Sequence, residues 1–270
     1  MRHGPVPLQS FLVNTPEVEL WPAGTLRARS NSHARLLARA RCVLRRKRDG
    51  QYLAAEADGG LQPLVPNLAQ QPGLAEARHA MVAFHAPRRA GIDPAGTLPL
   101  HRLEQRLHAL GLDADAYATR TGLALVPEPE RLAFAGFDRW RRALWLRLDA
   151  ARAWLRMRDA ALADGIVLEA ISGYRSHDYQ LGIFERKLAR GLTVPDILAV
   201  NAAPGFSEHH SGQALDIGTP DEPPAEESFE ATSAFAWLQA RAPEFGFRMS
   251  YPRDNPHGIV YEPWHWRFHG

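Results

Sequence analysis

The 270-residue chain contains one cysteine, Cys42. An intramolecular disulfide and any metal site built on paired thiolates are therefore excluded, and a metal centre would have to come from histidine and carboxylate. No apolar run approaches the roughly 18 residues that cross a bilayer as a helix. The opening residues, Met1 to Pro7, lack the long apolar core of a secretory leader, which leaves the compartment open. Charge is close to balance, +2 overall with an isoelectric point near 8.9, so the whole-chain charge says little about partners. One local absence is pronounced. Between Leu20 and Arg48 there is no acidic residue, while Arg27, Arg29, Arg35, Arg39, Arg41, Arg45, Arg46, Lys47 and Arg48 are basic. Contact with an anionic polymer would suit such a run, but no aromatic side chains interleave with the arginines to stack on bases. A solvated cationic face is expected there, and nucleic acid is not expected as a partner.

What is present divides near Val126-Pro127-Glu128-Pro129, where two prolines interrupt the helical patterns on either side. Residues 1–125 form an N-terminal region of unknown role, a candidate small accessory domain without a catalytic constellation. Within it, Asp49-Gly50 is a hairpin-turn signal, and a short helix running into a hairpin (Arg41 to Lys47, Gln51 to Glu56) is expected. Leu100, Leu103, Leu107 and Leu110 make one helical face closed by Gly111. In residues 126–270 the pattern predicts a long helix from Asp138 to Asp164 with Gly165 as its stop, a strand over Val167 to Ile171, and helices from about Asp178 to Arg190 and from Thr232 to Ala242. Phe247 to Tyr251 and Gly258 to Tyr261 read as strands. This order fits an α+β fold, a small antiparallel sheet flanked by helices and preceded by a mixed N-terminal region.

Chemistry concentrates in two stretches, Ser207 to Asp216 and Glu262-Pro263-Trp264-His265. They hold imidazoles, a ligand-type carboxylate and a spare carboxylate, the inventory of a catalytic zinc site with three N/O ligands and one open position. His209 and Asp216 are seven residues apart, so an unbroken strand would aim them at opposite faces. A turn at Ser211-Gly212 is required between them. Beyond it, Leu215 and Ile217 can face the core while Asp216 faces the site. Glu262 and His265 would likewise diverge on a flat strand, and Pro263 favours a local irregularity that turns both toward one centre. His210 competes with its neighbour on spacing alone. His257 and His269 read as surface or rim residues.

Taken together, Ser172-Gly173-Tyr174-Arg175-Ser176 with Gln180, Ser207-Glu208-His209 through Gly212, Ala214 and Asp216, then Tyr251-Pro252 and Glu262 to Arg267, resemble the VanY-type D-alanyl-D-alanine carboxypeptidases of the LAS group of zinc peptidases. The likeness covers roughly residues 126–270 and implies a LAS/hedgehog-type catalytic domain. Carried over by position, it makes His209, Asp216 and His265 ligands of a Zn²⁺ ion, Glu262 the catalytic base and Arg175 a cation facing substrate. Gln180, Ser207 and Tyr174 become candidates for shaping the substrate pocket, and Trp264 is packing beneath the metal. The implied substrate is a peptidoglycan stem peptide losing its terminal D-Ala, and the implied location is the periplasm or cell envelope. An endopeptidase or dipeptidase would show the same motifs, whereas a non-hydrolytic wall-binding module would have no need of Glu262. The N-terminal half could instead carry the function as an anionic-polymer anchor. Nothing demands an oligomer, and a monomer is expected.

Overall fold

The computed structural model describes residues 10–28, 30–85, 96–198 and 202–270. Arg29 of the basic run lies outside them. The first two strands, β1 (Phe11–Asn14) and β2 (Val18–Pro22), form a hairpin, and α1 (Asn31–Leu37) follows with Ser30 accepting from the His33 amide at its N-terminus. Then β3 (Cys42–Arg46) and β4 (Tyr52–Ala57) turn around Asp49-Gly50, where Gly50 adopts a φ of 70°, and β5 (Gly60–Pro63) extends the meander. The helix and hairpin expected from the sequence are both there. Side-chain alternation sets the faces: Val18, Leu20, Cys42 and Leu44 point into a core covered by α2 (Leu74–His85), while Val43 points the other way.

The basic run is not one solvated face. Arg27, Arg35, Arg39, Arg41 and Arg48 are exposed, but Arg45 pairs with Glu19, Arg46 with Asp49, and Lys47 is buried against Glu128. Each of these three meets an acid that lies outside the Leu20–Arg48 stretch.

Two short helices, α3 (His101–Ala109) and α4 (Ala114–Thr121), lead into β6 (Arg131–Phe137) and β7 (Ala143–Leu146). Leu103 and Leu107 are buried as the leucine spacing requires. A seven-stranded antiparallel sheet in the order β5-β4-β3-β2-β1-β6-β7 results, with β1 pairing β6. This sheet runs across residue 126 without a break.

The helix expected over Asp138 to Asp164 begins only at Leu148. Residues 138–147 are a tight turn followed by β7, and the helix is α5 (Leu148–Ala163). The Asp138 carboxylate accepts from the Trp140 and Arg142 amides and Arg141 takes a φ of 61°, which reverses the chain. Leu144, Trp145 and Leu146 are all buried, because β7 has covered surface on both faces. A run apolar on both faces carries no period that separates strand from helix.

The remaining elements are β8 (Glu169–Ser172), α6 (His177–Ala189), α7 (Val194–Leu198), β9 (Ala214–Gly218), α8 (Ser233–Arg241), β10 (Phe247–Met249) and β11 (His265–Phe268). A second antiparallel sheet has the order β10-β11-β9-β8. The strand expected over Gly258 to Tyr261 is irregular instead. The partner of β10 is β11, whose tryptophan and phenylalanine enter the core. Trp154 and Met157 of α5 pack in the same core as Leu215, Ile217, Trp266 and Phe268 of this sheet and Ala133 and Ala135 of β6. The fold is α+β, as expected. No described helix is long and apolar enough to cross a membrane.

Candidate active site

The small sheet delivers the polar residues to one place. His209 lies in a 3₁₀ turn, Glu208–Ser211, that ends at Gly212 with a φ of 69°. A side chain at Gly212 would also meet Leu132 Cδ2 at 2.5 Å, so the turn needs glycine on two counts. The chain then enters β9, whose Leu215 and Ile217 face the core while Asp216 opposes His265 across the β9–β11 ladder. Glu262 sits in a turn closed by the His265 amide donating to the Glu262 carbonyl at 3.1 Å, the irregularity expected around Pro263.

One ligand atom each from His209, Asp216 and His265 lies within 4.8 Å of the others, and all three residues are buried. Arg175, Gln180, Ser207, Tyr251, Glu262 and Trp264 are among the other residues lining a cavity of about 200 Å³ at this cluster. Glu262 Oε2 is 3.8 Å from His265 Nδ1. Arg175 bonds Asp216 through Nη2 and Ser172 Oγ through Nε at 2.8 Å. Two acids of the following helix, Asp178 and Glu185, are held by Arg106 and leave Arg175 to Asp216.

Hydrogen bonding fixes which face of each ring looks inward. His209 Nδ1–H donates to the Gly173 carbonyl at 2.7 Å, which leaves Nε2 as a lone pair 3.2 Å from Asp216 Oδ1. His265 Nε2–H donates to Glu208 at 2.9 Å and turns Nδ1 toward the same oxygen at 3.1 Å. A carboxylate or carbonyl behind a ligating imidazole is what sets its tautomer in metal sites. Glu208 is itself braced by Ser250 at 2.6 Å and Arg267 at 2.9 Å. His210, although next in sequence, has both nitrogens engaged: Nδ1–H donates to the Arg175 carbonyl at 2.7 Å and Nε2 accepts from the Gly205 amide at 3.1 Å. It has no free lone pair to offer.

The electrostatics fit a cation. Burial, together with the Arg175 charge, lowers the His209 pKa to about 4, so its ring is neutral and opposes Asp216 lone pair to lone pair. Burial would lower His265 as well, but its bonds to Asp216 and Glu208 overcome that and raise it to about 10. Asp216, facing His209, Arg175 and His265, stays ionised, well below the usual carboxylate range in spite of its burial. Burial raises the Glu262 pKa, since the nearby Asp216 and Glu208 charges offset part of what His265 and Arg175 supply. The donor set, two imidazoles and a carboxylate, is of the type zinc takes in catalytic sites.

Not every expected residue points into this cavity. Tyr174 turns away, and its hydroxyl donates to Glu128 at 2.9 Å. Gln180 is buried at the cavity wall, where Nε2 donates to the Ala202 carbonyl at 3.2 Å and Oε1 has no hydrogen-bond partner among the described residues. His257 is half-buried on the Thr121 carbonyl and His269 is exposed. The sequence by itself assigns Glu208 no role. Its place directly before His209 was the available signal, but its bond to His265, 57 residues away, appears only in the fold.

The model of one family, the D-alanyl-D-alanine carboxypeptidases named VanY, matches residues 143–270. The bifunctional D-Ala-D-Ala dipeptidase and carboxypeptidase VanXYC of Enterococcus gallinarum is 31% identical over 150 residues, which is 53% of this chain and 76% of that protein. The chain belongs to the VanY family. A putative carboxypeptidase, YodJ of Bacillus subtilis, is 39% identical over 130 residues, covering 47% of each protein. A D-alanyl-D-alanine carboxypeptidase of Enterococcus faecalis is 35% identical, with 44% of its length matched. The chain thus spans about half the length of these last two relatives. Among solved structures, the LD-carboxypeptidase LdcB aligns at 36% identity with a TM-score of 0.45, covering 47% of this chain and 60% of that one. A VanY D,D-pentapeptidase crystallised with Zn(II) aligns at 29% identity with a TM-score of 0.39, covering 47% and 74%.

Proposed function

We propose that this VanY-family chain is a zinc-dependent D-alanyl-D-alanine carboxypeptidase that releases the terminal D-Ala from peptidoglycan stem peptides. The observation carrying the reading is the inward-facing trio: His209 Nε2, His265 Nδ1 and Asp216, each ring locked from behind so that its inner nitrogen meets the same carboxylate oxygen. Without a cation, the neutral His209 ring and Asp216 would repel across 3.2 Å. His209, Asp216 and His265 hold the zinc in this reading, and the bound ion supplies Lewis-acid polarisation of a carbonyl and acidifies a water.

Glu262 is the base. Its carboxylate has no side-chain hydrogen bond among the described residues and faces the cavity, and its raised pKa brings it closer to the range where a carboxylate accepts a proton near neutrality. It takes the proton from the attacking water and returns it to the leaving amine. Arg175, tethered by Ser172 and Asp216, presents a fixed positive charge beside the reacting group. Its planar fork also suits a terminal carboxylate, a geometry an ammonium cannot reproduce. Gln180 Oε1 and Ser207 line the wall where the substrate's amides would lie. The reading takes the chain as a monomer, since every residue it uses comes from one chain.

A dipeptidase activity on the same site is the second reading, favoured by the bifunctional name of VanXYC, the relative matched over most of its length. Mass spectrometry of muropeptides incubated with the protein, with and without chelator, separates the two. Chelator-sensitive loss of one alanine from a stem ending in D-Ala-D-Ala supports the carboxypeptidase. Cleavage of free D-Ala-D-Ala alone supports the dipeptidase, and no cleavage of either contradicts both.

A further inference from the structure

Glu128, on the extended segment between α4 and β6, is 2% exposed and saturated with donors. One carboxylate oxygen accepts from Lys47 Nζ, from Asn14 Nδ2 at 3.1 Å and from the Tyr174 hydroxyl at 2.9 Å. The other accepts from the backbone amide of His177, the first residue of α6, and lies 3.3 Å from His177 Nδ1. Lys47 is equally enclosed and also donates to the Thr15 carbonyl at 3.1 Å. Asn14, Thr15 and Lys47 belong to the first three strands and the residues beside them. Tyr174 and His177 bracket Arg175.

The other side of the same short segment is tied to the candidate metal site. The Gly173 carbonyl accepts from His209 and the Arg175 carbonyl accepts from His210. Gly173 is pressed so closely onto β7 that a side chain there would lie 2.8 Å from Leu144 Cδ1 and 2.9 Å from the Trp145 carbonyl. Residues 173–177 are therefore clamped between the N-terminal sheet and the two histidines, with the Arg175 side chain as the part that reaches the cavity.

We infer that the buried Lys47–Glu128 pair is a positioning device by which the N-terminal sheet holds residues 173–177 and aims Arg175 at Asp216 and the substrate. This rests on the role given to Arg175 above. An apolar pair of similar volume would fill the space without the cost of desolvating two ions. It could not accept from a backbone amide, a phenol, an amide side chain and an ammonium drawn from separate parts of the chain, which Glu128 does. Constellations of this kind need supporting groups that lock their rotamers to within about 0.5 Å. Asn14, Lys47 and Glu128 all lie outside residues 143–270, the segment matched by the family model.

The test compares the full-length zinc-loaded protein with Lys47→Met/Glu128→Gln, which removes both charges while keeping shape, and with Lys47→Arg, which keeps the charge. Hydrogen exchange at residues 173–177 is expected to rise tenfold or more in the double variant while β9 and β11 stay protected, and to remain near wild type in Lys47→Arg. With a peptide ending in D-Ala-D-Ala, kcat/KM is expected to fall about 10–100-fold at unchanged zinc content. Introduced into an Arg175→Ala background, the double change should produce little further loss, because both act through the same group. Unchanged exchange at 173–177 would overturn the inference, as would losses that multiply with Arg175→Ala. A wild-type protein that leaves the peptide intact would contradict the proposed substrate instead, and the exchange measurement would still decide the positioning claim.

Discussion

The cluster around Glu128 and the cluster around Asp216 are both enclosed by the fold, and they differ in how their charges close. Glu128 feels the burial that would raise its pKa, yet Lys47 and His177 more than reverse it, down to about 2. Each of its oxygens has a donor, and Lys47 has a second acceptor in Thr15. Asp216 has Arg175 and His265 as donors, but the acceptors around it outnumber them. His209 offers a lone pair rather than a proton, Glu262 is unbonded, and a protonated His265 and Arg175 stand where a metal would bring charge. Burial costs both clusters alike. A cluster that satisfies itself holds structure, whereas one left with acceptors facing a cavity is built for something that arrives from outside.

This contrast can be broken at several points. His209→Ala or Asp216→Ala should abolish both zinc retention and D-Ala release, read by elemental analysis beside product assay; retained stoichiometric zinc in either would remove that residue from the ligand set. Glu262→Ala should keep the metal and lose about 10²–10⁴-fold in turnover. Its thermal stability should hold or rise, because a half-buried carboxylate without a side-chain hydrogen bond is gone. Glu128→Ala should do the reverse, costing about 3–5 kcal/mol in denaturant unfolding by stranding Lys47, as broken buried pairs do. A loss no larger than that of an exposed pair would show that Lys47 finds water. Glu208→Ala should weaken zinc affinity about 10–100-fold through the freed His265 ring, measured by competition with a chromogenic chelator.

The smallest effect is in acid. The Glu128 pKa is depressed in the fold, so its contribution to stability is complete above the ordinary value of 4.5 and is lost as pH falls toward about 2. Stability of the wild type should therefore decline over that window more steeply than that of Lys47→Met/Glu128→Gln. Parallel curves would mean that other carboxylates dominate the acid limb.

Local signals in the sequence were enough for the elements that local chemistry decides. Asp49-Gly50 marks its hairpin, Gly111 and Gly191 lie just beyond their helices in the left-handed region, and alternation around Asp216 places Leu215 and Ile217 in the core. Turn-forming Ser211-Gly212 and Pro263 allow a histidine of the His209-His210 pair, Asp216 and His265 to converge, and the resemblance to the VanY-type carboxypeptidases singles out His209. Three things could not be read. Residues 143–146 have covered surface on both sides, so their spacing imitates a helical stripe. The pairing of β10 with β11 depends on contacts across the irregular chain from 250 to 264. Glu128 and Glu208 look like ordinary surface acids, and only the partners at Lys47 and His265 reveal them.

Anomalous scattering from a crystal grown with zinc would locate the ion. One peak is expected, bonded to His209 Nε2, His265 Nδ1 and an Asp216 oxygen, with Glu262 beside it and uncoordinated. A peak elsewhere, coordination through His210, or Glu262 taking a ligand position would contradict this ligand set.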